Sequence, residues 1–315
     1  MIINTGSRTD TVQFYPKWLI KRFEEGVVYT RNPHFPKKVT RYTLTPETVD
    51  CVVFCSKNYA PILPDLHKIT SRFHTYFHYT ITGYGKDIEP GVPSIERSID
   101  TLKRLSAMVG KERLSWRYDP VLLTARYSVD YHLQTFAWMI EAIAPYVSRV
   151  IFSFVELYER LRYNMPELIA LSQADMDRLA AGLGRLAATQ HLPIQTCGNS
   201  GDWSRYGIDS SGCTTLDILG RANGVTFRSL KHRGQRLGCH CIETRDIGFY
   251  DSCPNGCRYC YANKNQHVAI ENFKTHDVNS PILLGHLEPD DIIQEGQQST
   301  YLAGIPIVPA QGTLW

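Results

Sequence analysis

The chain has 315 residues, of which 43% are hydrophobic and 21% are charged, and its formal net charge is +3. This length and apolar content suffice for one large core, so we expect a single domain. The small net charge excludes the strong basic field that would by itself indicate a polyanion partner, and it leaves nucleic acid open. The N-terminus has no signal-peptide pattern and no apolar run approaches the ~18 residues of a membrane span, so we expect a cytoplasmic protein.

Strand and helix signals alternate along most of the chain. Apolar strands are predicted at 2–5, 52–54, 76–81, 114–122, 149–155 and 193–197, with one or two more near 225–226 or 246–249. Helices are predicted at 15–25, 64–73, 93–108, 129–147 and within 173–190. Such alternation implies a parallel sheet with crossover helices, and six to eight units predict an α/β fold of the TIM-like β/α barrel type, closed or nearly closed.

Polar residues follow the predicted strands, at the end of a barrel where chemistry takes place. The residues that we expect to contact substrate or to act in catalysis are Lys57, Arg117, Asp119 and Glu156. The planar guanidinium of Arg117 suits two-pronged recognition of an anion. The alternative is an ordinary ion pair between Arg117 and Asp119, which is the commoner fate of buried opposite charges.

A cysteine motif of the form C-x3-C-x2-C lies near the C-terminal end, with thiols at Cys253, Cys257 and Cys260. A short loop that wraps three thiolates round a small inorganic centre needs about this spacing, and Gly256 allows the backbone to turn between ligands. Three ligands leave one iron of a [4Fe–4S] cluster open to bind something else, whereas a structural zinc is normally closed by four. We therefore expect a [4Fe–4S] cluster, although thiolates also accept zinc.

Six further cysteines remain. Cys51 and Cys55 flank an apolar run, and we interpret them as buried structural thiols. The other four match the number of ligands that a second iron–sulfur cluster or a zinc ion needs, and they are Cys197, Cys213, Cys239 and Cys241. The long gaps between them leave open whether they converge.

The motif C-x3-C-x-aromatic-C, in which Tyr259 is the aromatic residue, resembles the cluster loop of the radical SAM enzymes. The chain as a whole resembles the DUF1848 family of uncharacterised bacterial proteins, on segments that include 7–10, 52–58, 79–93, 116–120, 153–158, 238–241 and 246–251. The radical SAM resemblance implies that the open iron binds S-adenosylmethionine and that a 5′-deoxyadenosyl radical forms at the barrel mouth. It also implies a reducing electron donor of the flavodoxin or ferredoxin type.

The radical SAM loop usually follows the first strand, whereas here it comes after about four-fifths of the chain. A strand near 245–250 would then take the place of the first strand, and the barrel would be circularly permuted or incomplete. The N-terminal strand would lie beside it. The resemblance therefore implies cofactor contacts from Tyr259 and from the segment that follows this strand, at Gly6, Ser7, Arg8 and Asp10. Asp10 would replace the glutamate that radical SAM enzymes commonly have there, and Gly6 is equally well explained as a turn glycine.

Other functions stay open at this stage. In a non-catalytic iron–sulfur or zinc protein, Cys239 or Cys241 would supply the missing fourth ligand to the loop; a zinc-stabilised nucleic-acid-binding module is a third alternative. The substrate is undetermined between a small molecule and nucleic acid, since radical SAM barrels also occur in repair lyases. Residues 1–263 are expected to form the barrel domain, with the cysteine cluster at 239–260. Residues 264–315 form an extension packed on the barrel, with a mobile tail from about Glu295.

Overall fold

The structure is a computed structural model, which describes residues 1–198, 201–229 and 238–304. The strands are β1 (Ile2–Asn4), β2 (Val27–Arg31), β3 (Lys38–Thr43), β4 (Cys51–Ser56), β5 (Thr75–Thr80), β6 (Leu114–Val121), β7 (Arg149–Phe154), β8 (Ile194–Thr196), β9 (Ile208–Asp209), β10 (Arg245–Asp246) and β11 (Ile292–Glu295). The helices are α1 (Thr11–Phe14), α2 (Pro16–Glu25), α3 (His67–Thr70), α4 (Ile95–Val109), α5 (Val129–Ile143), α6 (Glu159–Asn164), α7 (Gln173–Thr189), α8 (Leu216–Asn223) and α9 (Gln266–Lys274).

Eight strands form one parallel sheet in the order β10-β1-β4-β5-β6-β7-β8-β9, which confirms the predicted α/β fold with a parallel sheet. Within this sheet β1 is followed by β4 to β9 in the same order as in the chain, as expected when each crossover returns the chain to the adjacent position. β10 breaks this order because it pairs with β1, with Ile3 opposite Arg245 and Asn4 opposite Asp246. This pairing brings the segment after Asp246 to the carboxyl end of the first strand.

The two faces of the sheet carry different residues, as β6 illustrates. Trp116 lies on the face covered by α5, where its ring stacks on Phe136 at a centroid distance of 4.9 Å. Its neighbour Arg117 points to the other face and contacts Cys213 in the loop after β9. Since side chains alternate along a strand, Asp119 shares the polar face with Arg117. The face with Trp116 therefore builds the main core, whereas the opposite face carries a second apolar cluster around Ile2, Val53 and Tyr76 as well as charged and thiol groups.

Helix ends follow the expected capping chemistry, although some predicted bounds were too generous. Helix α2 ends at Gly26, which adopts the left-handed conformation at φ 71°, and α7 begins with a capping box between Ser172 and Asp175. The helix predicted at 64–73 is mostly turn, with only α3 helical. No helix within the described ranges is both long and apolar enough to cross a membrane.

A second, smaller sheet joins the C-terminal extension to the body. β2 and β3 form an antiparallel pair, and β11 adds to β3 in parallel; the sequence analysis missed all three strands. Further along, Thr300 Oγ1 and the Tyr301 backbone N–H donate to Asp50. The mobile tail predicted from about Glu295 is therefore held in place at Glu295, Thr300 and Tyr301. Glu295 belongs to β11, which pairs with β3, and Asp50 accepts hydrogen bonds from the other two residues. Residues 305–315, which the prediction also included, lie outside the described residues.

Candidate metal centre

The three-cysteine loop, residues 251–263, lies across the carboxyl ends of β1, β4 and β5. Near β1, the Tyr261 hydroxyl donates to the carbonyl of Ser7 at 2.7 Å. Beyond β5, the backbone N–H of Gly91 donates to the carbonyl of Asn255 at 2.8 Å, and that of Arg258 donates to Ile88 at 3.0 Å. The loop is therefore anchored at the edge of the sheet where the sequence analysis expected the chemistry.

The three cysteines of this loop are half-buried, and backbone N–H groups donate to the thiols of Cys253 and Cys260. Burial raises the pKa of Cys253 to about 12 and also raises the pKa of Cys257 and Cys260, and the neighbouring thiols add to this effect at Cys253 and Cys257. Backbone N–H groups of Asn255 and Asp10 donate to Cys253 and work in the opposite direction. The Ala262 N–H donates to Cys260 Sγ at 3.3 Å. Half-buried thiols that already accept N–H bonds suit an iron–sulfur centre, where such bonds stabilise the charged sulfurs.

The described residues hold no ready-made set of three or more His, Cys, Asp or Glu donors placed to bind a metal ion. The fit of the loop to a metal centre therefore depends on its donor chemistry. Gly256 has φ 69°, a left-handed conformation that allows the tight turn between Cys253 and Cys257. A second turn follows, in which the Cys260 N–H donates to the Cys257 carbonyl at 3.0 Å.

Glu89 is the acidic residue beside the loop, and the sequence analysis did not select it. Its Oε1 atom accepts hydrogen bonds from Lys57 Nζ at 2.9 Å, from Thr82 Oγ1 at 2.8 Å and from the Tyr259 hydroxyl. The Lys57 Nζ atom also lies 5.6 Å from the centre of the Tyr259 ring. Burial disfavours the charge on Lys57, but Glu89 and Cys257 outweigh it and raise the pKa of Lys57. Lys57 is therefore a fixed cation next to the thiols.

Arg117 and Asp119 form the ion pair that the sequence analysis considered as the alternative. Ser153 of β7 donates to the other carboxylate oxygen of Asp119. Burial alone would raise the pKa of Asp119, but the Arg117 charge and the Ser153 hydroxyl hold it below its usual range. Asp119 also acts electrostatically on Lys57, which places the pair in the same mouth. Glu156 is different, because it lies exposed beyond the end of β7.

The segment after β1 lies beside the loop, and two of its residues also make contacts that support the fold. Both oxygens of Asp10 are occupied, since they accept from Ser56 Oγ at 2.7 Å and from the N–H groups of Lys57 and Gln13. A Cβ atom on Gly6 would stand 2.0 Å from the carbonyl oxygen of Cys55. Asp10 thus caps α1 and joins it to β4, and Gly6 allows two strand ends to meet.

Ser7 and Arg8 are held by the strand that pairs with β1. The Ser7 N–H donates to Asp246 Oδ2 at 2.8 Å, and Arg8 Nε lies 3.8 Å from Asp246 Oδ1. The Arg8 guanidinium lies 5.5 Å from the ring centre of Tyr250. These two residues therefore line the junction between β1 and the start of the loop.

The four remaining C-terminal cysteines converge in a separate group. The Sγ atoms of Cys197 and Cys213 are 3.5 Å apart, and those of Cys213 and Cys241 are 3.4 Å apart. Cys239 packs in the same group and hydrogen-bonds to Cys241. Cys239 and Cys241 are thus placed with Cys213, and not as a fourth ligand of the loop.

Glu89 was difficult to select from the sequence because this residue lies nine residues after the end of β5. The loop that carries it folds back at Gly91 and its neighbours. Selection of the residue directly after each strand therefore missed it. A carboxylate followed by two prolines and a glycine, Glu89-Pro-Gly-Val-Pro93, is the only local sign that this loop has a defined shape.

Comparison with known proteins yields one family. No curated protein matches the chain. A crystal structure from Bacteroides thetaiotaomicron VPI-5482, named as a "putative alpha-L-fucosidase", is 12% identical over 68% of this chain and 60% of its own, with a TM-score of 0.28. That score supports no conclusion about fold or function, and the chain spans less than two thirds of that protein. The model of the DUF1848 family, a domain of unknown function, matches residues 2–262, and the chain therefore belongs to the DUF1848 family.

Proposed function

We propose that this protein is a radical SAM-type iron–sulfur enzyme whose barrel is incomplete and circularly permuted. The observation that carries the proposal is the placement of Cys253, Cys257 and Cys260 on one half-buried loop across the carboxyl edge of a parallel sheet. In such sheets ligands bind at that edge. The pairing of β10 with β1 supports the permuted order, because the loop then follows the strand that adjoins the N-terminal one.

The loop would hold a [4Fe–4S] cluster through its three thiolates and leave one iron open. When bound, that cluster would supply an electron to S-adenosylmethionine and give a 5′-deoxyadenosyl radical that removes hydrogen from a substrate. The electron must come from a reducing partner of the flavodoxin or ferredoxin type. The chain itself contributes the N–H donors at Cys253 and Cys260, which stabilise charged sulfur and thereby influence the reduction potential.

The polar groups of the mouth would balance charge and orient the bound molecules. Lys57 lies close enough to Cys257 and Cys260 to offset part of their negative charge when they are ionised. Glu89 holds Lys57 and Tyr259 in place, so that the loop cannot rotate away from the sheet. Ser7 and Arg8 would contact the cofactor at the junction with β10, and Arg117 with Asp119 would face the substrate from β6.

The alternative of a closed, non-catalytic centre has less support. It requires Cys239 or Cys241 to complete the loop's ligand set, whereas Cys241 Sγ lies 3.4 Å from Cys213 Sγ. Neither a small molecule nor nucleic acid is favoured as substrate by the charges at the mouth, because Lys57 and Arg117 each have an acidic partner.

Electron paramagnetic resonance tests the proposal. Protein purified and reconstituted without oxygen would be reduced with dithionite and measured with and without S-adenosylmethionine, beside iron and zinc analysis. We expect a reduced [4Fe–4S] signal that changes when the cofactor is added. Cys257→Ala should abolish the signal, whereas Cys51→Ala, which removes a buried thiol of β4, should retain it. Stoichiometric zinc in the loop, or a cluster that does not respond to S-adenosylmethionine, would contradict the proposal.

A further inference from the structure

A second group of thiols lies apart from the loop, at the β8–β9 end of the sheet. It consists of Cys197 after β8, Cys213 after β9, and the pair Cys239 and Cys241, which precedes β10. Cys213 lies between two of the others, with sulfur–sulfur distances of 3.5 Å to Cys197 and 3.4 Å to Cys241. Three chain segments that are distant in sequence thus bring four soft ligands together.

The backbone around this group is held in position by its own contacts. Gly212 has φ 105°, and a Cβ atom there would lie 2.7 Å from the carbonyl carbon and oxygen of His240. The segments that carry Cys213 and Cys241 therefore meet backbone to backbone, a contact that only glycine permits. The Ile242 N–H donates to the Thr214 carbonyl at 2.8 Å, and the Gln195 side chain donates to the Gly212 carbonyl. The approach of these thiols is thus built into the fold.

The electrostatic surroundings suit a group that carries negative charge. Cys213 and Cys241 are buried, and Arg117 Nη1 lies 3.5 Å from Cys213 Sγ. Buried charge is tolerated when a partner of opposite sign is close. Four thiolates around a divalent cation carry a net charge of minus two, and the Arg117 guanidinium offsets part of it. The same guanidinium also pairs with Asp119, so it joins the thiol group to the carboxylate at the mouth.

The spacing of the sulfurs indicates the size of the centre. With metal–sulfur bonds of about 2.3 Å, thiolates at the corners of a tetrahedral zinc site are about 3.8 Å apart. The observed 3.4 and 3.5 Å are slightly shorter, as expected for thiols that hydrogen-bond to one another. Binding of an ion would require the four thiols to move apart by a few tenths of an ångström, since the described donors do not form a ready-made metal position. A four-iron cluster would hold its thiolates much farther apart, because the iron and sulfide atoms lie between them.

We infer that Cys197, Cys213, Cys239 and Cys241 form a closed tetrathiolate site for one zinc ion. Four protein ligands leave no open position, so the site is structural. Zinc is preferred to ferrous iron because it binds the same ligands more tightly. The ion would join the ends of β8 and β9 to the segment before β10, and it would fix Arg117, and through Arg117 the carboxylate of Asp119, at the mouth.

Zinc analysis of the intact protein tests this site independently of the loop. Zinc K-edge absorption should show about one zinc per chain with four sulfur ligands at about 2.3 Å. The triple variant Cys253→Ala/Cys257→Ala/Cys260→Ala should lose iron and keep that zinc. Cys213→Ser should lose the zinc. Cys239→Ser changes a half-buried ligand, and this variant should release zinc to a chelator at least tenfold faster than the wild-type protein. Cys51→Ala is the control and should keep zinc unchanged.

Three results would overturn the inference. They are the absence of zinc from the wild-type protein, a disulfide between any two of the four cysteines in protein purified without oxygen, and iron bound by the triple loop variant. Failure of the electron paramagnetic resonance experiment would leave the zinc result unaffected, because that measurement concerns only the loop. If Cys213→Ser does not fold, two measurements still test the zinc site. They are the number of sulfur ligands to zinc in the wild-type protein and the rate at which Cys239→Ser releases zinc.

Discussion

Lys57 Nζ donates to Glu89 Oε1 at 2.9 Å, although the two residues follow different strands of the sheet. Their side chains are 13% and 3% exposed, so the pair is largely shielded from water. The same carboxylate oxygen accepts from Tyr259 in the cysteine loop. One ion pair therefore joins the carboxyl ends of β4 and β5 to the candidate metal centre.

Replacement of Glu89 by glutamine should destabilise the protein by about 3 kcal/mol, because Lys57 would be left buried without its counter-charge. The free energy of unfolding would be measured by urea denaturation of the protein as purified. The matched control is the double variant Lys57→Met/Glu89→Gln, which removes both charges. The double variant should lose less free energy of unfolding than Lys57→Met and Glu89→Gln lose in sum, by at least about 1 kcal/mol. Strict additivity would show that the ion pair does not couple these residues.

Gly91→Ala should weaken the attachment of the loop. The added Cβ atom would lie 2.7 Å from the carbonyl oxygen of Asn255 and 2.8 Å from its Cα atom, so the backbone between Cys253 and Cys257 must shift. We expect the variant to retain less than about half of the wild-type iron after reconstitution, since ligand geometry controls cluster binding.

Gly110→Ala is the control for this experiment. Its φ of 82° makes alanine strained, by about 1 kcal/mol, yet no atom lies within 4 Å of the added Cβ. It should lower stability without a loss of iron. Equal iron content in the two variants would argue against a role of Gly91 in holding the loop.

Gly6→Ala should destabilise the protein by about 3 kcal/mol, at the upper end of the usual cost of overpacking, because the new Cβ atom would meet the backbone oxygen of Cys55 at 2.0 Å. The neighbouring variant Ser7→Ala should cost less than about 1 kcal/mol, as it removes a small half-buried hydroxyl. Thermal and urea unfolding of both variants would measure the difference. A stable Gly6→Ala protein with reduced cofactor binding would instead favour the original interpretation of Gly6 as a ligand contact.

The buried His132 should make stability depend on pH. The Tyr118 hydroxyl contacts its Nδ1 at 2.8 Å and the Leu122 carbonyl contacts Nε2 at 2.8 Å, which fits a neutral ring, and burial lowers its pKa to about 4. The unfolded chain, with a histidine pKa of about 6.5, binds the proton first as the pH falls. The free energy of unfolding contributed by His132 is therefore complete above pH ~6.5 and decreases towards pH 4, by up to about 1.4 kcal/mol per pH unit.

His132→Gln keeps a donor and an acceptor but cannot titrate. Urea unfolding of both proteins at several pH values between about 5 and 6.5 should show a smaller loss of stability for the variant. Comparison with the wild-type protein removes the contribution of other titrating groups, such as Asp10, whose pKa is raised by burial to about 6. If the free energy of unfolding changes with pH to the same extent in both proteins, His132 is protonated as readily in the folded protein as in the unfolded chain.

Local patterns determined much of this protein. Alternation along β6 separates Trp116 from Arg117, and that period depends only on strand geometry. The C-x3-C-x2-C spacing is equally local, because a single loop carries its three ligands. These features were predictable because their physical cause lies within a few neighbouring residues. The approximate bounds of six parallel strands, β1 and β4 to β8, followed from the same reasoning, whereas β9 was missed and no strand forms at the suggested 225–226.

Tertiary structure alone decided which distant residues meet. Cys213 and Cys241 are 28 residues apart in sequence, and no spacing rule brings their sulfurs to 3.4 Å. Glu89 lies beside Lys57 because the loop after β5 folds back over the edge of the sheet. β10 pairs with β1 although the other strands of the sheet lie between them in the chain. Such approaches result from the packing of the whole sheet and its helices, which no local period records. The sequence by itself determined six strands of the parallel sheet, most of its longer helices and the cysteine loop, and the fold decided the surroundings of both groups of thiols.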